Sequence, residues 1–171
     1  MQASVFGKAR VSGNASVHGE ACVYGNAQVY GVAILNVSMQ IRYGSYGIEK
    51  YTSPQDFLIK YIAAALNAYP INNKYILYKK VRSLANETNK FRSCYDSGFI
   101  YTVNGYAIAK NYDKDILISC GTGLHVSYPD YWDSGDVLLV CEIDIEDIIT
   151  CMNSKLRVKK LKVLDYHFLD D

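Results

Sequence analysis

The chain lacks the features that would direct it to a membrane or to a strongly charged partner. No apolar run reaches the roughly 18 residues that a membrane-spanning helix needs, and the first residues lack the basic and then apolar segments of a secretory signal. Its 18 basic and 17 acidic residues leave a formal charge of +1, which gives no overall attraction to nucleic acid or anionic lipid. We expect a cytoplasmic protein that makes no contact with a membrane.

Cysteine is sparse, and the common sequence signatures of catalysis are absent. The five cysteines are scattered, with no pair separated by two residues, which argues against a disulfide framework and against a structural zinc site. The chain contains no P-loop, no H-E-x-x-H motif and no nucleophile elbow. We therefore predict no metal ion and no obligatory cofactor.

What the sequence has instead is a repeat at its start, "ASVFGKARVSGNASVHGEACVYGNAQVYG". Alanine, valine and glycine return every six residues, and the alternation inside each hexad places alanine and valine on one face of a short strand. A small buried residue followed by a turn glycine is typical of a tightly wound β-solenoid. The pattern resembles the A-x-V-x-G-N arrays of hexapeptide-repeat left-handed β-helices in phage and bacterial proteins. This resemblance implies a β-helix over residues 1–48.

So short a solenoid has little buried surface to stabilise it. Each hexad buries one alanine and one valine, which returns about 2–4 kcal/mol against a backbone-ordering cost of about 6–12 kcal/mol. The repeats also begin beside Met1 without a polar cap. We therefore predict that this end stacks on the same end of a second chain to form a homodimer. The alternative is an end that frays or is covered by N-terminal residues. The contact is expected to use Val5, Phe6, Val11 and Val17.

Beyond the repeats, the chain predicts one helix and a series of strands. Ser53 is a suitable N-cap, Pro54 suits the first helical position, and Asp56 completes a capping box. Strands are predicted at "KYILYKKV", "GFIYTV", "YAIAK", "DILIS", "GLHVS", "DVLLVCEI" and "KLRVKKLKVL", with a hairpin turn at Asn104-Gly105. The predicted fold class is mainly β with α+β content: a short left-handed parallel β-helix followed by a compact α+β sheet domain over residues 49–171.

A second resemblance rests on the order of "ILYKKV", "CGTGLHVS", "GDVLLVCEIDIEDI" and "SKLRVKKLKVL". This order of segments resembles a small domain of tailed-phage proteins. The same order is similar to that of the ADP-ribosyltransferase fold. In that fold a G-x-G strand carries an aromatic residue that stacks on nicotinamide, and His125 stands at this place. The alternatives are structural: a solvated Lys79, a packed His125, and glycines that only form a turn. The resemblance implies that NAD or a similar nucleotide contacts Tyr78, Lys79, Gly121, Gly123, His125 and Ser127.

The same resemblance argues against transferase activity. The catalytic branch of that family uses a glutamate on a late strand, where this chain has Lys155, Leu156 and Arg157. Charge developing on the ribose would lack a preorganised carboxylate. The resemblance therefore implies a non-catalytic member. An NAD-using enzyme would have to rely on Lys79, His125 and Glu142, and Glu142 lies one strand too early.

Two further groups of residues are candidate contact surfaces. Tyr128, Tyr131 and Trp132 have the composition of a binding hot spot, although a loop packed on the sheet would have the same composition. A basic strand over residues 155–162 would suit nucleic-acid phosphates, or would simply protect a strand edge from aggregation. The basic residues proposed to bind a partner are Lys155, Arg157, Lys159 and Lys160.

Three functions from different classes follow from these observations. The first is a phage-type accessory protein, dimerised by its repeats, that binds and inhibits a host protein or complex in the host cytoplasm. Inhibition of a defence system such as CRISPR interference is the kind of task that the family context implies. The second is an ADP-ribosyltransferase-like enzyme that uses NAD. The third is a nucleotide-binding or nucleic-acid-binding protein that uses the predicted pocket and the basic strand.

Overall fold

The computed structural model describes residues 2–36, 39–48 and 53–169. The chain packs as two compact units, one of Met1–Tyr69, Ile116–Ser119 and Thr150–Ser154, and one of the remaining residues. The predicted domain boundary after residue 48 stays a prediction, because residues 49–52 lie outside the described ranges, as does Met1 at the predicted dimer contact. Within those ranges, no helix is both long enough and apolar enough to cross a membrane.

The repeats of the first unit form short strands that pair in parallel. Ser4 lies beside Cys22 and Arg10 beside Gln28, so each early strand pairs with one 18 residues later. The pairs form three small sheets, with strand orders one-four-seven, two-five-eight and three-six. The strands are β1 (Ser4–Val5), β2 (Arg10–Val11), β3 (Ser16–Val17), β4 (Cys22–Val23), β5 (Gln28–Gly31), β6 (Ile34–Leu35), β7 (Gln40–Ile41) and β8 (Ser45–Ile48).

The predicted left-handed parallel β-helix is wrong: the structure shows several short parallel strand pairs. Most of these strands have only two residues, because a turn follows each A-x-V step, with φ +72° at Gly7 and +68° at Gly13. The hexad pattern therefore dictates short strand-and-turn units and not the continuous helix that the resemblance implied. Burial is also uneven, since Val5 is 47% exposed whereas Val23 is fully buried.

One helix, α1 (Pro54–Leu66), forms where the sequence predicted a helix, but it packs within the first unit and not in the predicted sheet domain. The Ser53 side chain accepts a hydrogen bond from the Asp56 amide at 3.1 Å, which is the predicted N-cap. The apolar face of α1 lies on the last repeat strands. There Tyr46 packs edge-on against Phe57 and Tyr61, at centroid distances of 6.0 and 5.7 Å. The helix end is closed by Asn67 in the left-handed conformation.

The second unit is built on an antiparallel sheet of six strands. Its order is β11 (Ile100–Thr102), β10 (Glu87–Ser93), β9 (Lys74–Leu84), β14 (Val137–Asp144), β17 (Lys160–Phe168) and β12 (Tyr106–Ile108). Within this sheet, the central strand β14 has the largest share of buried residues. The two edge strands are consecutive in the chain, so the sheet curves nearly into a barrel. The strands that follow α1 are β9 (Lys74–Leu84), β10 (Glu87–Ser93), β11 (Ile100–Thr102), β12 (Tyr106–Ile108), β13 (Leu124–Val126), β14 (Val137–Asp144), β15 (Ile148–Met152), β16 (Lys155–Val158) and β17 (Lys160–Phe168). Outside the six-stranded sheet, β13 pairs antiparallel with β16.

The predicted α+β sheet domain is also wrong, because the described chain is mainly β and its α-helix packs on the repeat strands. The segment "DILIS" forms turns instead of a strand. The polar segment "ETNKFRS", for which no strand was predicted, forms β10 beside β9. At Asn104-Gly105 the chain does turn, but β11 and β12 pair with β10 and β17 and not with each other.

Candidate functional site

A cavity of about 660 Å³ lies in the second unit, where it is lined both by strand residues such as Lys79 and His125 and by loop residues such as Tyr95. This volume lies in the range of small-molecule sites. Aromatic side chains and lysines dominate its walls, and three lysines face one aspartate. The lining residues are Lys79, Ser93, Tyr95, Asp96, Phe99, Tyr101, Ala109, Lys110, Asn111, Cys120, Thr122, Gly123, Leu124, His125, Tyr131, Trp132 and Lys155.

Lys79 is a buried cation at the wall of this cavity. Strand alternation explains its position, because it occupies an inward site of β9 between Leu77 and Val81, and it is only 4% exposed. Its Nζ donates a hydrogen bond to the His125 carbonyl at 3.2 Å. Burial lowers the pKa of Lys79 to about 8, and the charge of Lys155 adds to this effect.

Aromatic rings surround the Lys79 ammonium. The centroid of the Trp132 ring lies 4.6 Å from Nζ, and those of Tyr95 and Tyr101 lie 5.9 Å away. Trp132 is fixed in turn, since its Nε1 donates to the Tyr78 carbonyl at 3.2 Å and its ring packs edge-on against Tyr131. Tyr95 is 70% exposed, so its ring remains open to a ligand.

A second ammonium, that of Lys155, lies at the same cavity. Its Nζ lies 3.1 Å from Cys120 Sγ and 5.6 Å from the centroid of the Tyr131 ring. Burial alone would lower the pKa of Lys155, but hydrogen bonds to Tyr131 and Cys120 outweigh it and raise the pKa. Lys155 therefore carries its charge at neutral pH.

His125 is a neutral imidazole among cations. Burial lowers its pKa to about 4, and Lys155, Lys79 and Arg157 each oppose its protonation. Its Nε2 is buried without a hydrogen-bond partner, although it belongs to a residue that lines the cavity. Such an atom can receive or donate a hydrogen bond when a ligand enters.

The two glycines before β13 make room for Arg157. Arg157 lies directly opposite His125 across the strand pair, is 1% exposed, and donates Nη2 to the Asp115 carbonyl. A Cβ at Gly121 would collide with the Arg157 guanidinium, and one at Gly123 would come within 2.9 Å of its Cγ. Gly123 also has φ +145°, which favours glycine. The absence of a side chain at these two glycines therefore leaves room for buried Arg157 and its hydrogen bond to Asp115.

The structure brings together residues that the sequence had assigned to two different sites. Of the predicted ligand contacts, Lys79, Gly123 and His125 line the cavity, and of the predicted partner contacts, Tyr131, Trp132 and Lys155 do so. Tyr78 acts through its backbone, which bonds to Ser127 in both directions, and Ser127 is itself buried. The remaining candidates that do not line the cavity are Gly121, Tyr128, Arg157, Lys159 and Lys160.

Glu142 lies apart from the site. Its carboxylate binds Lys74 at 2.6 Å, on the side of β14 opposite to the buried residues. The basic strand is also divided, because Lys155 and Arg157 are buried while Lys160 pairs with Asp147 at 3.5 Å and Lys159 lies over the Tyr112 ring. The proposed catalytic set of Lys79, His125 and Glu142 is thus not assembled in one cavity.

Sequence reasoning missed one wall of the cavity. The segment from Ser93 to Tyr101 supplies Tyr95, Asp96 and Phe99, with a further contribution from Lys110 and Asn111. The tyrosines and phenylalanine of "CYDSGFIY" were the available signal. They could not be assigned to the site, because β10 was not predicted and it is β10 that places this loop beside β9.

Comparison with protein-family models, with curated proteins and with solved structures gives no match to this chain. The resemblance to hexapeptide-repeat β-helices joined to an ADP-ribosyltransferase-like phage domain is therefore not supported, and the fold described above contradicts it. The motif segments are divided between two sheets, since β9, β14 and β17 belong to the six-stranded sheet and β13 and β16 to a separate one. The order of short apolar strands along the chain carries little specificity for one family.

Proposed function

We propose that the second unit binds a small planar organic anion of the nucleotide class in this cavity. The observation that carries the proposal is the pairing of two lysine ammoniums with open aromatic rings in one cavity. The positive charge of Lys155 disfavours that of Lys79, and an anion bound in the cavity that both line relieves this repulsion. Base stacking on a ring such as Tyr95 adds about 1–3 kcal/mol per base.

The charge balance of the walls favours the same class of ligand. Three lysines and one aspartate line the cavity, so the formal balance is two positive charges when His125 is neutral. Among the described residues the ion pairs of lysine involve Lys74, Lys90 and Lys160, which leaves the cavity lysines without a carboxylate partner. A ligand phosphate would supply that partner.

Trp132 supplies the experiment, because it is the chain's single tryptophan and lines the cavity. Its fluorescence is titrated with AMP, ADP, ATP and GMP, with adenosine and inorganic phosphate as partial ligands, and equilibrium dialysis confirms each affinity. We expect saturable binding of the nucleotides that weakens at least about tenfold in Lys79→Met. The matched control, Lys114→Met, removes an exposed lysine outside the lining and should bind normally. No saturable binding to any nucleotide, or equal affinity in Lys79→Met, would refute the proposal.

Binding and inhibition of a host protein or complex stays a prediction from the sequence. Its direct test is a pulldown from a bacterial lysate with the full chain as bait. One host protein recovered in near-stoichiometric amount would support it. Recovery of none would count against it, whether or not nucleotides bind.

A further inference from the structure

The cavity contains an amine whose surroundings differ from those of an ordinary surface lysine. Lys79 Nζ is buried, its hydrogen bond goes to a neutral backbone carbonyl, and aromatic rings occupy its flanks. In the described part of the chain no carboxylate forms an ion pair with it. This is a poor environment for an ammonium ion, because the lost hydration is not replaced by an opposite charge.

A second cation at the same cavity works in the same direction. Lys155 keeps its own charge through its contacts with Cys120 and Tyr131, and that charge opposes protonation of Lys79. Desolvation and a neighbouring cation are the two means by which proteins convert a lysine into a nucleophile at neutral pH. Both act on Lys79.

We propose that Lys79 forms an imine with a small anionic aldehyde or ketone held in the cavity. The uncharged Nζ adds to the carbonyl carbon, and a proton passes from nitrogen to the carbonyl oxygen to give a carbinolamine. Loss of one water then forms the C=N bond. The C=O bond is replaced by C=N and one water leaves, so the step consumes no oxidant and no reductant.

The cavity walls account for the choice of substrate class. Lys155 remains charged and lines the same cavity, so it can hold a carboxylate or phosphate while the carbonyl reaches Lys79. The Tyr131 and Trp132 rings favour a planar substrate. This inference rests on the anion binding proposed above and adds a covalent activity to it.

The test uses the full chain with para-carboxybenzaldehyde as the probe and benzaldehyde as its neutral match, each at limiting concentration with sodium cyanoborohydride. The hydride converts an imine into a stable secondary amine, and peptide mapping then locates it. We expect Lys79 to be modified at least about tenfold faster than Lys114, because more of its amine is uncharged. We also expect para-carboxybenzaldehyde to react faster than benzaldehyde in the wild type, and Lys155→Met to remove that preference.

Modification spread evenly over exposed lysines, with Lys79 no faster than Lys114, would overturn the inference. The inference would also be overturned if the total amount of labelling in Lys79→Arg equalled that in the wild type. The comparison between sites within the wild-type chain needs no variant, so a misfolded variant does not affect it. If nucleotides bind while Lys79 is not trapped, the imine inference alone fails. If Lys79 is trapped while no nucleotide binds, nucleotide binding alone fails.

Discussion

Trp132 covers the ammonium of Lys79, with its ring centroid 4.6 Å from Nζ, while its own Nε1 donates to the carbonyl of Tyr78, the preceding residue on β9. One side chain therefore shields the buried cation and fastens the strand that carries it. The contact offsets only part of the cost of burial, because the pKa of Lys79 still falls to about 8. The buried charge of Lys79, which would bind the ligand, therefore lowers the stability of the folded protein.

Lys79→Met should stabilise the protein while it weakens ligand binding. A methionine fills a similar volume and carries no charge, so we expect the free energy of unfolding to rise by about 1–3 kcal/mol at pH 7. Urea unfolding of the variant and of the wild type measures this difference. A variant that is less stable than the wild type would show that the ammonium contributes favourably to the fold.

The lowered pKa of Lys79 also predicts how the stability difference between Lys79→Met and the wild type depends on pH. Between pH 8 and 10.5 the unfolded chain retains the Lys79 proton that the folded chain has lost, so wild-type stability rises with pH through this window. The gap to Lys79→Met should therefore narrow by up to about 3 kcal/mol as the pH increases. A gap independent of pH would contradict the assigned burial cost. Unfolding midpoints at several pH values for both proteins provide the measurement.

His125 should make the protein acid-sensitive in a defined range. Its folded pKa of about 4 lies below the ordinary value of 6.5, so the unfolded chain binds the proton first and stability falls as the pH drops from 6.5 towards 4. The full effect is about 3 kcal/mol. His125→Gln should lose this share of the acid sensitivity, measured as the difference in unfolding free energy between pH 7 and pH 4.5. Equal acid sensitivity in both proteins would contradict it.

Gly121→Ala should destabilise the second unit because its Cβ would displace the Arg157 guanidinium from the Asp115 carbonyl. We expect a loss of about 1–3 kcal/mol, typical of a disturbed buried hydrogen bond. Gly98→Ala is the matched control, since its Cβ would meet only the Asp96 carboxylate at an ordinary 3.5 Å. In an Arg157→Met background the cost of Gly121→Ala should shrink. Additive costs would show that the two residues do not interact.

The predicted homodimer remains open to direct test through the repeats. Phe6 is 55% exposed and stacks on Tyr24 at 5.1 Å, so its outer ring face is available to a second chain. If the dimer forms there, Phe6→Asp should weaken self-association at least about tenfold. Light scattering over a concentration series measures it, with Ile108→Asp, an exposed position of the second unit, as control. A wild-type chain that is monomeric at every concentration would refute the dimer.

The sequence predicted features that depend on nearest neighbours and missed those that depend on distant pairing. The cap at Ser53 and the alternation of β9 are local, and both occur where the pattern placed them. The strand β10 is polar and has only Phe91 and Ser93 buried, so no local signal marked it. Because the loop after β10 lines the cavity, the aromatic wall around Tyr95 could not be predicted either. The inward position of Lys79 was predictable from strand alternation. Its burial depends on the loops that carry Tyr95 and Trp132, whose rings lie over its ammonium.

The curvature of the six-stranded sheet bears on how this unit avoids unwanted association. Its two edge strands have three residues each and meet beside the turn at Asn104 and Gly105, whose backbone bonds to Val163. A foreign strand therefore finds little open backbone along this sheet on which to template itself. We expect this closure to protect the six-stranded sheet from edge-to-edge aggregation.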